Sequence, residues 1–562
     1  MANKILTPVT LWSDFDDSLP PTETVLREWE ENGAVFSAIR YQGRETEAGR
    51  VDIFALFAKP KEPENCPVLL VLPDAGQTAD EELLRFFVAK GYAVLMPDYR
   101  GAWANTEEYT VYPQCIAYAN YAQAGLHLDY AEPSAKETSW YEWVAVARYS
   151  AQYLAARFPS SKLGTVGIKA GGETALMLAG TYGKLSCAIL VCAGGWRAYR
   201  GVHKFGDNAA ELKMNDERHR FLAGADAQAY AQYAKCPVLM LCSTNDERFD
   251  ADRAFDTFAR INPEMDKTFY FAARYDGCIG KTGQNDLFLF LDKYLKEREV
   301  FIPSPAEVSI EEDGGELAAR VKFDKNGEVT YCEVFMAEDN PDSASRDWTK
   351  CALKREDGED EQIFNLSAYE GASRVFVFAK TKYSCGFAVS SKIAVKRLEK
   401  SYPNSLRKSR ILYSSEDGYG SFVIDRPGES AVAETFLSGK GSPVCLKEGP
   451  CGIKGIYSPY GLRLFRINDV RFRPGDNALI KFDLYNAEPA TLTVCICTEK
   501  NGEKEEFVCN LRLSGGERWT DHVLAPKDFK SGENKPLAQF AGARYISFSS
   551  VNEVFINNLI CI

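Results

Sequence analysis

The chain has 562 residues, 45% hydrophobic and 26% charged. That composition is ordinary for a globular protein, and the length exceeds one hydrophobic core, so roughly two to four domains are expected. A formal charge of −13, with no arginine- or lysine-rich stripe to offset it, argues against a nucleic-acid partner. No run approaches the roughly 18 apolar residues that cross a bilayer, and the opening "MANKILTPVTLWSDFDD" lacks the apolar core of a secretory signal. The sixteen cysteines lie in apolar stretches such as "VLMLC" and "VCIC" without framework spacing. The expectation is a cytoplasmic protein with reduced thiols and no membrane partner.

In chain order, "VDIFALFAKP" (51–60) and "PVLLVLPDAG" (67–76) read as strands, "TADEELLRFFVAKG" (78–91) as a helix and "YAVLMPDYRG" (92–101) as a strand. "WYEWVAVARYSAQYLAARFP" (140–159) has helical spacing and ends at a proline. Then follow strands at 162–168, 185–195, 236–246 and 267–277, alternating with helices at 173–183, 250–262 and 282–298. Apolar strands alternating with amphipathic helices predict a doubly wound, mainly parallel α/β sheet over residues 1–302. At Pro303 and Pro305 the helical period stops. Short alternating segments over 303–400 predict an immunoglobulin- or fibronectin-like β-sandwich. Longer all-β segments over 401–562 predict a jelly roll.

The motifs sit at the ends of these strands. "LPDAGQ" and "LMPDYRG" follow two of them, "GTVGIKAGGE" is a strand–turn–helix, "LCSTNDERFD" follows a fourth strand, and "ARYDGCIG" follows the last. With these residues, positions 50–300 resemble the α/β-hydrolase fold, in the branch of acetyl xylan esterases and dienelactone-hydrolase-like proteins. The resemblance implies a Ser-His-Asp triad with the serine on a G-x-S-x-G elbow. Here the elbow has no serine, cysteine or threonine. One register puts Gly172 at the nucleophile position; a second, Gly167-Ile168-Lys169-Ala170-Gly171, puts Lys169 there. The first is favoured because two adjacent glycines then make the turn. Asp246 matches the triad acid, although a turn aspartate reads the same way. The base position reads Asp276-Gly277-Cys278, with Gly277 in place of histidine.

None of the four histidines (His127, His203, His219, His522) lies in that loop. Cys278 reads as a buried thiol, since no histidine adjoins it to activate it. The backbone N–H groups of Gln77 and Glu173 are expected to form an oxyanion-type pocket. Trp196 and Arg197, in a cap segment spanning 192–208, together with Cys278, are candidate ligand contacts. The last module resembles jelly-roll carbohydrate-binding modules, many of which carry a structural calcium; Tyr457, Tyr460, Phe465, Tyr485 and Trp519 are its candidate sugar-facing aromatics. Cys495 and Cys497 share one strand face and read as core. No Walker loop, HExxH, paired CxxC or EF-hand is present, so no cofactor is expected. The functional expectation is an esterase homologue without catalysis that binds a carbohydrate or acyl ligand, with homo-oligomer formation an open possibility. The alternatives are an active carbohydrate esterase with another nucleophile, and a structural assembly protein.

Overall fold

Runs such as "VLLVL", "AVLMP" and "CAILV" become strands in which every residue is buried, as a sheet covered on both faces requires. The computed structural model describes residues 4–18, 22–61, 66–103, 107–200, 202–206, 215–419, 422–425, 444–500 and 503–562. Its largest sheet contains β1 (Glu23–Glu31), β2 (Ala34–Thr46), β3 (Gly49–Pro60), β4 (Val68–Leu72), β5 (Ala93–Pro97), β6 (Leu163–Ile168), β7 (Cys187–Val191), β8 (Val238–Ser243) and β9 (Lys267–Ala272), in the spatial order β1-β2-β3-β5-β4-β6-β7-β8-β9. The β1, β2, β3 and β5 contacts are antiparallel; every contact from β5 onward to β9 is parallel. The helices are α1 (Pro8–Leu11), α2 (Glu81–Val88), α3 (Ser139–Arg157), α4 (Ala170–Thr181), α5 (Asp216–Gly224), α6 (Ala251–Arg260) and α7 (Gly280–Leu295). Several start at capping side chains. Asp80 accepts from the N–H groups of Glu82 and Leu83, Thr138 from Tyr141, and Asp250 from Asp252.

Two elements go beyond the sequence reading. The β1–β2 hairpin lies before its first strand, and β1 is exposed along most of its length. Charged residues such as Arg27, Glu28 and Glu30 on that edge strand obscure the alternation and discourage strand addition. Helix α5 is polar over most of its length and buries only Arg220, Phe221 and Gly224. The strand read at "GSFVIDR" is observed over Phe422–Ile424; Gly420, Ser421 and Arg426 lie outside the described residues, as do positions 201, 207 and 208 of the cap segment.

From Glu307 to Arg397 the chain forms a four-stranded and a five-stranded antiparallel sheet. The two central strands of the larger sheet, Val329–Glu338 and Arg374–Tyr383, are apolar on both faces. Val334, Met336, Val375, Val377 and Ala379 fill the sandwich core. Their alternate neighbours Phe335, Ala337, Phe376 and Phe378 belong to the core of the α/β sheet. Phe378 meets Phe271 of β9 edge-on at 5.5 Å and Trp348 at 5.0 Å. Ser390 Oγ accepts the Phe271 N–H at 2.9 Å, so the sandwich covers the open edge of β9. At the same seam Arg346 and Asp252, with side chains 0% and 1% exposed, form a two-pronged ion pair of 2.5 and 2.7 Å.

From Ile411 to Cys561 a six-stranded and a five-stranded sheet enclose a separate core. Phe465 is buried in a separate small cluster with Val423, Cys497 and Tyr545. Tyr457, Tyr485 and Trp519 are half-buried and pack around Phe555 and one another, with ring centroids 5.4–5.9 Å apart. Among the described residues no helix is long and apolar enough to cross a membrane, and no group of three or more His, Cys, Asp or Glu is arranged to hold a metal ion.

Candidate functional site

Strand β6 ends at Ile168 and α4 begins at Ala170. The single residue between them, Lys169, has φ 54° and ψ −115°, a backbone state that a non-glycine residue keeps only when its surroundings impose it. The glycines on either side are those surroundings. A Cβ on Gly167 would stand 2.1 Å from the Gly171 carbonyl oxygen, and one on Gly171 would stand 2.0 Å from the Leu72 carbonyl oxygen. The elbow is therefore Gly167-Ile168-Lys169-Ala170-Gly171. The favoured register is corrected by three residues: Gly172 lies inside α4, where a Cβ would meet the Ala193 Cβ at 2.6 Å. Gly172 serves the close approach of α4 to Ala193 rather than the turn.

Gly277 follows β9 with φ +64°, and a Cβ there would lie 3.2 Å from both Cε and Nζ of Lys169 and 3.7 Å from Asp246 Oδ2. Lys169, Asp246 and Gly277 thus lie together at one end of the sheet. The Lys169 side chain runs from the strained turn into the space that a side chain at 277 would need. Asp246, 1% exposed, is held by the Arg248 N–H at 2.8 Å and the Ser243 hydroxyl at 3.4 Å. That hydroxyl oxygen accepts the Gly277 N–H at 3.1 Å.

Burial, and then the charge of Asp276, push the Asp246 carboxyl above the usual carboxylate range; Lys169 and Arg248 offset part of this. Burial also raises Asp276, against the charge of Arg463. A carboxyl whose pKa is higher folded than unfolded makes the folded state hold extra protons. Its contribution to stability is present in acid and is lost as pH rises through the folded pKa. Asp98, pushed up to about 7 mainly by burial, adds to the same trend. The melting temperature is expected to fall between about pH 5 and pH 8.5. Asp246→Asn, which keeps the acceptor for the Arg248 N–H, should reduce that fall; an unchanged pH profile would count against the titration of Asp246.

The oxyanion expectation is also corrected. The Gln77 N–H donates to the Asp74 carbonyl at 2.8 Å, and the Glu173 N–H donates within α4 to the Lys169 carbonyl at 3.1 Å. In the observed frame the relevant donor is Ala170, the residue after the elbow. Its N–H points at Asp74 Oδ1, 3.4 Å away, and Asp74 is itself ion-paired to Arg248. The Asp74 carboxylate thus fills the space in front of the Ala170 N–H.

The cap residues are committed inward. The Trp196 N–H donates to Asp226 at 2.7 Å and its indole to Thr257 at 2.9 Å. Arg197 pairs with buried Glu173 at 2.6 Å and lies 4.6 Å over the Trp140 ring. Cys278 is 3% exposed. His127 stacks on Tyr118 in the insertion after β5, and His203 faces Asp342 of the sandwich at 4.0 Å. His219 sits in α5, and His522 contacts Thr520 in the last domain. The sequence reading missed Arg463. This arginine, paired within the last domain to Asp425 at 3.2 Å, reaches out of it to Glu247 at 3.1 Å and Asp276 at 3.8 Å. Lys504 adds a 3.2 Å contact to Glu247. No local signal in "GLRLFRIND" marks that role; only the docking of the two domains creates it.

No family model matches the chain, and no curated protein matches its sequence. Among solved structures it is similar to the acetyl xylan esterase from Paenibacillus sp. R4, at 18% identity over 51% of this chain and 92% of that one, with a TM-score of 0.40. It is similar to acetyl xylan esterase 1 from Thermoanaerobacterium sp. JW/SL YS485, at 16% identity over 46% and 84%, TM-score 0.34. A third likeness is to a putative dienelactone hydrolase from Klebsiella pneumoniae subsp. pneumoniae MGH 78578, at 15% identity over 44% and 88%, TM-score 0.29. These likenesses cover about half of the chain.

Proposed function

We propose that this is an α/β-hydrolase-fold protein that does not hydrolyse esters and that acts by holding a carbohydrate or acyl ligand, or a partner, without turnover. The observation that carries the reading is Lys169. It occupies the strained elbow position, and its Nζ lies 3.2 Å from where a Cβ at 277 would begin. Serine-hydrolase chemistry needs a hydroxyl there and a base within about 3 Å of it. An ammonium beside two buried carboxylates supplies neither. The self-occupied oxyanion position supports the same reading, because stabilising a tetrahedral intermediate needs donors that face the substrate.

A second reading, a structural role, is favoured by the Arg463 contacts. Glu247 and Asp276, in the loops beside Asp246 and Gly277, pair with Arg463 of the last domain. The two readings share one test. Turnover of p-nitrophenyl acetate and of acetylated xylo-oligosaccharides by the full chain is expected to equal the buffer rate. Saturable turnover that is lost in Asp246→Asn would overturn both and restore the active-esterase alternative.

A further inference from the structure

Between the sandwich and the last domain lies a cavity of about 270 Å³ whose lining includes Glu338, Asp347, Asn365, Asp469, Arg471 and Phe472. Asp347 is 7% exposed; its Oδ2 accepts from Arg466 Nε at 3.0 Å, while its Oδ1 has no partner. Asn365 Oδ1 is a second buried acceptor without a partner, and Arg471 Nε is a buried donor without one. Orphaned buried groups cost about 1–3 kcal/mol each, so a site holding both kinds is built for something that donates and accepts.

The charges narrow the ligand class. An anion entering the cavity would face Glu338, Asp347 and Asp469. A cation would face Arg471 and the Arg466 guanidinium that holds Asp347. Hydroxyl groups satisfy both sets, since each is a donor and an acceptor at once. Met336, Cys351 and Phe472 supply an apolar wall suited to the C–H face of a ring. The volume lies just under the roughly 300 Å³ at which small-molecule pockets begin, which suits one sugar ring rather than a chain. We infer that this interdomain cavity is a binding site for a neutral, polyhydroxylated ligand of monosaccharide size, read through Asp347, Asn365 and Arg471. The inference is independent of whether the elbow is catalytic.

The test is saturation-transfer NMR and calorimetric titration of the full chain with a panel of free pentoses and hexoses, with glycerol as the short control. At least one sugar is expected to bind saturably. Asn365→Leu, which removes one acceptor at a half-buried position, is expected to weaken it about tenfold with an unchanged melting temperature. Ser367→Val at the rim is a second variant in the same direction, and Trp519→Ala, in the aromatic cluster of the last domain, is expected to have no effect. If no sugar binds, water alone fills the cavity and the inference fails. It fails equally if binding survives both cavity variants, or is lost in Trp519→Ala.

Discussion

Arg346→Met is expected to cost about 3–5 kcal/mol of stability, the largest effect of any single substitution considered for this chain. The guanidinium is fully buried, and each of its terminal nitrogens meets one oxygen of Asp252. Its Nε donates to the Asn340 carbonyl at 2.9 Å, and its plane lies 3.5 Å from the Phe376 ring centroid. Methionine fills much of the same volume but strands the Asp252 carboxylate at 1% side-chain exposure. The cost comes from that stranded charge rather than from the worth of the pair. The double variant Arg346→Met, Asp252→Leu should therefore recover more than half of it. Urea denaturation of the three proteins checks this. A single-variant cost under about 1 kcal/mol would mean that the pair behaves like a solvent-exposed one.

The second large effect is a gain of chemistry. Lys169→Ser with Gly277→His restores a hydroxyl to the strained elbow and a base near Asp246, and removing the lysine clears the 3.2 Å contact that bars a side chain at 277. The left-handed φ at 277 costs histidine about 1–2 kcal/mol. This double variant alone is expected to stay near the buffer rate, because Asp74 still lies against the Ala170 N–H. Adding Asp74→Ala frees that donor, and ester turnover should rise about 10²–10³-fold over the double variant. Gly172→Ser is the contrasting control. Its Cβ would lie 2.6 Å from that of Ala193, so it is expected to lose about 1–3 kcal/mol by overpacking and to gain no activity. Turnover in Gly172→Ser, or none in the triple variant as a folded protein, would contradict the placement of the elbow.

Much of the α/β sheet was legible because its strands are apolar throughout and its helices carry apolar residues at helical spacing. "VLLVL" and "CAILV" admit little else at that length. The two all-β units were legible from alternation and turns. In the sandwich strands "EVFMA" and "RVFVFA", the loss of strict alternation is the mark of burial on both faces, and it foreshadows the shared core. The β1–β2 hairpin was hidden by charge on an edge strand. The elbow was placed three residues late because paired glycines look like a turn, whereas Gly171 and Gly172 are there for close packing against Leu72 and Ala193. Asp246 and Gly277 were named from their positions after strands, and the geometry at Gly277 brings them within reach of one another. The pairing of Asp74 with Ala170, the reach of Lys169 to position 277 and the bridge from Arg463 join residues 74 to 463. No local window contains them, and they exist only once the sheet, the loops and the last domain are assembled.

The central claim is that the elbow carries no activated nucleophile. It is tested most directly by treating the full chain with a fluorophosphonate, which couples to an activated serine, and recording the intact mass. The account predicts no adduct on the native chain under conditions where the triple variant Lys169→Ser, Gly277→His, Asp74→Ala takes up one. A single stoichiometric adduct on the native chain would contradict it.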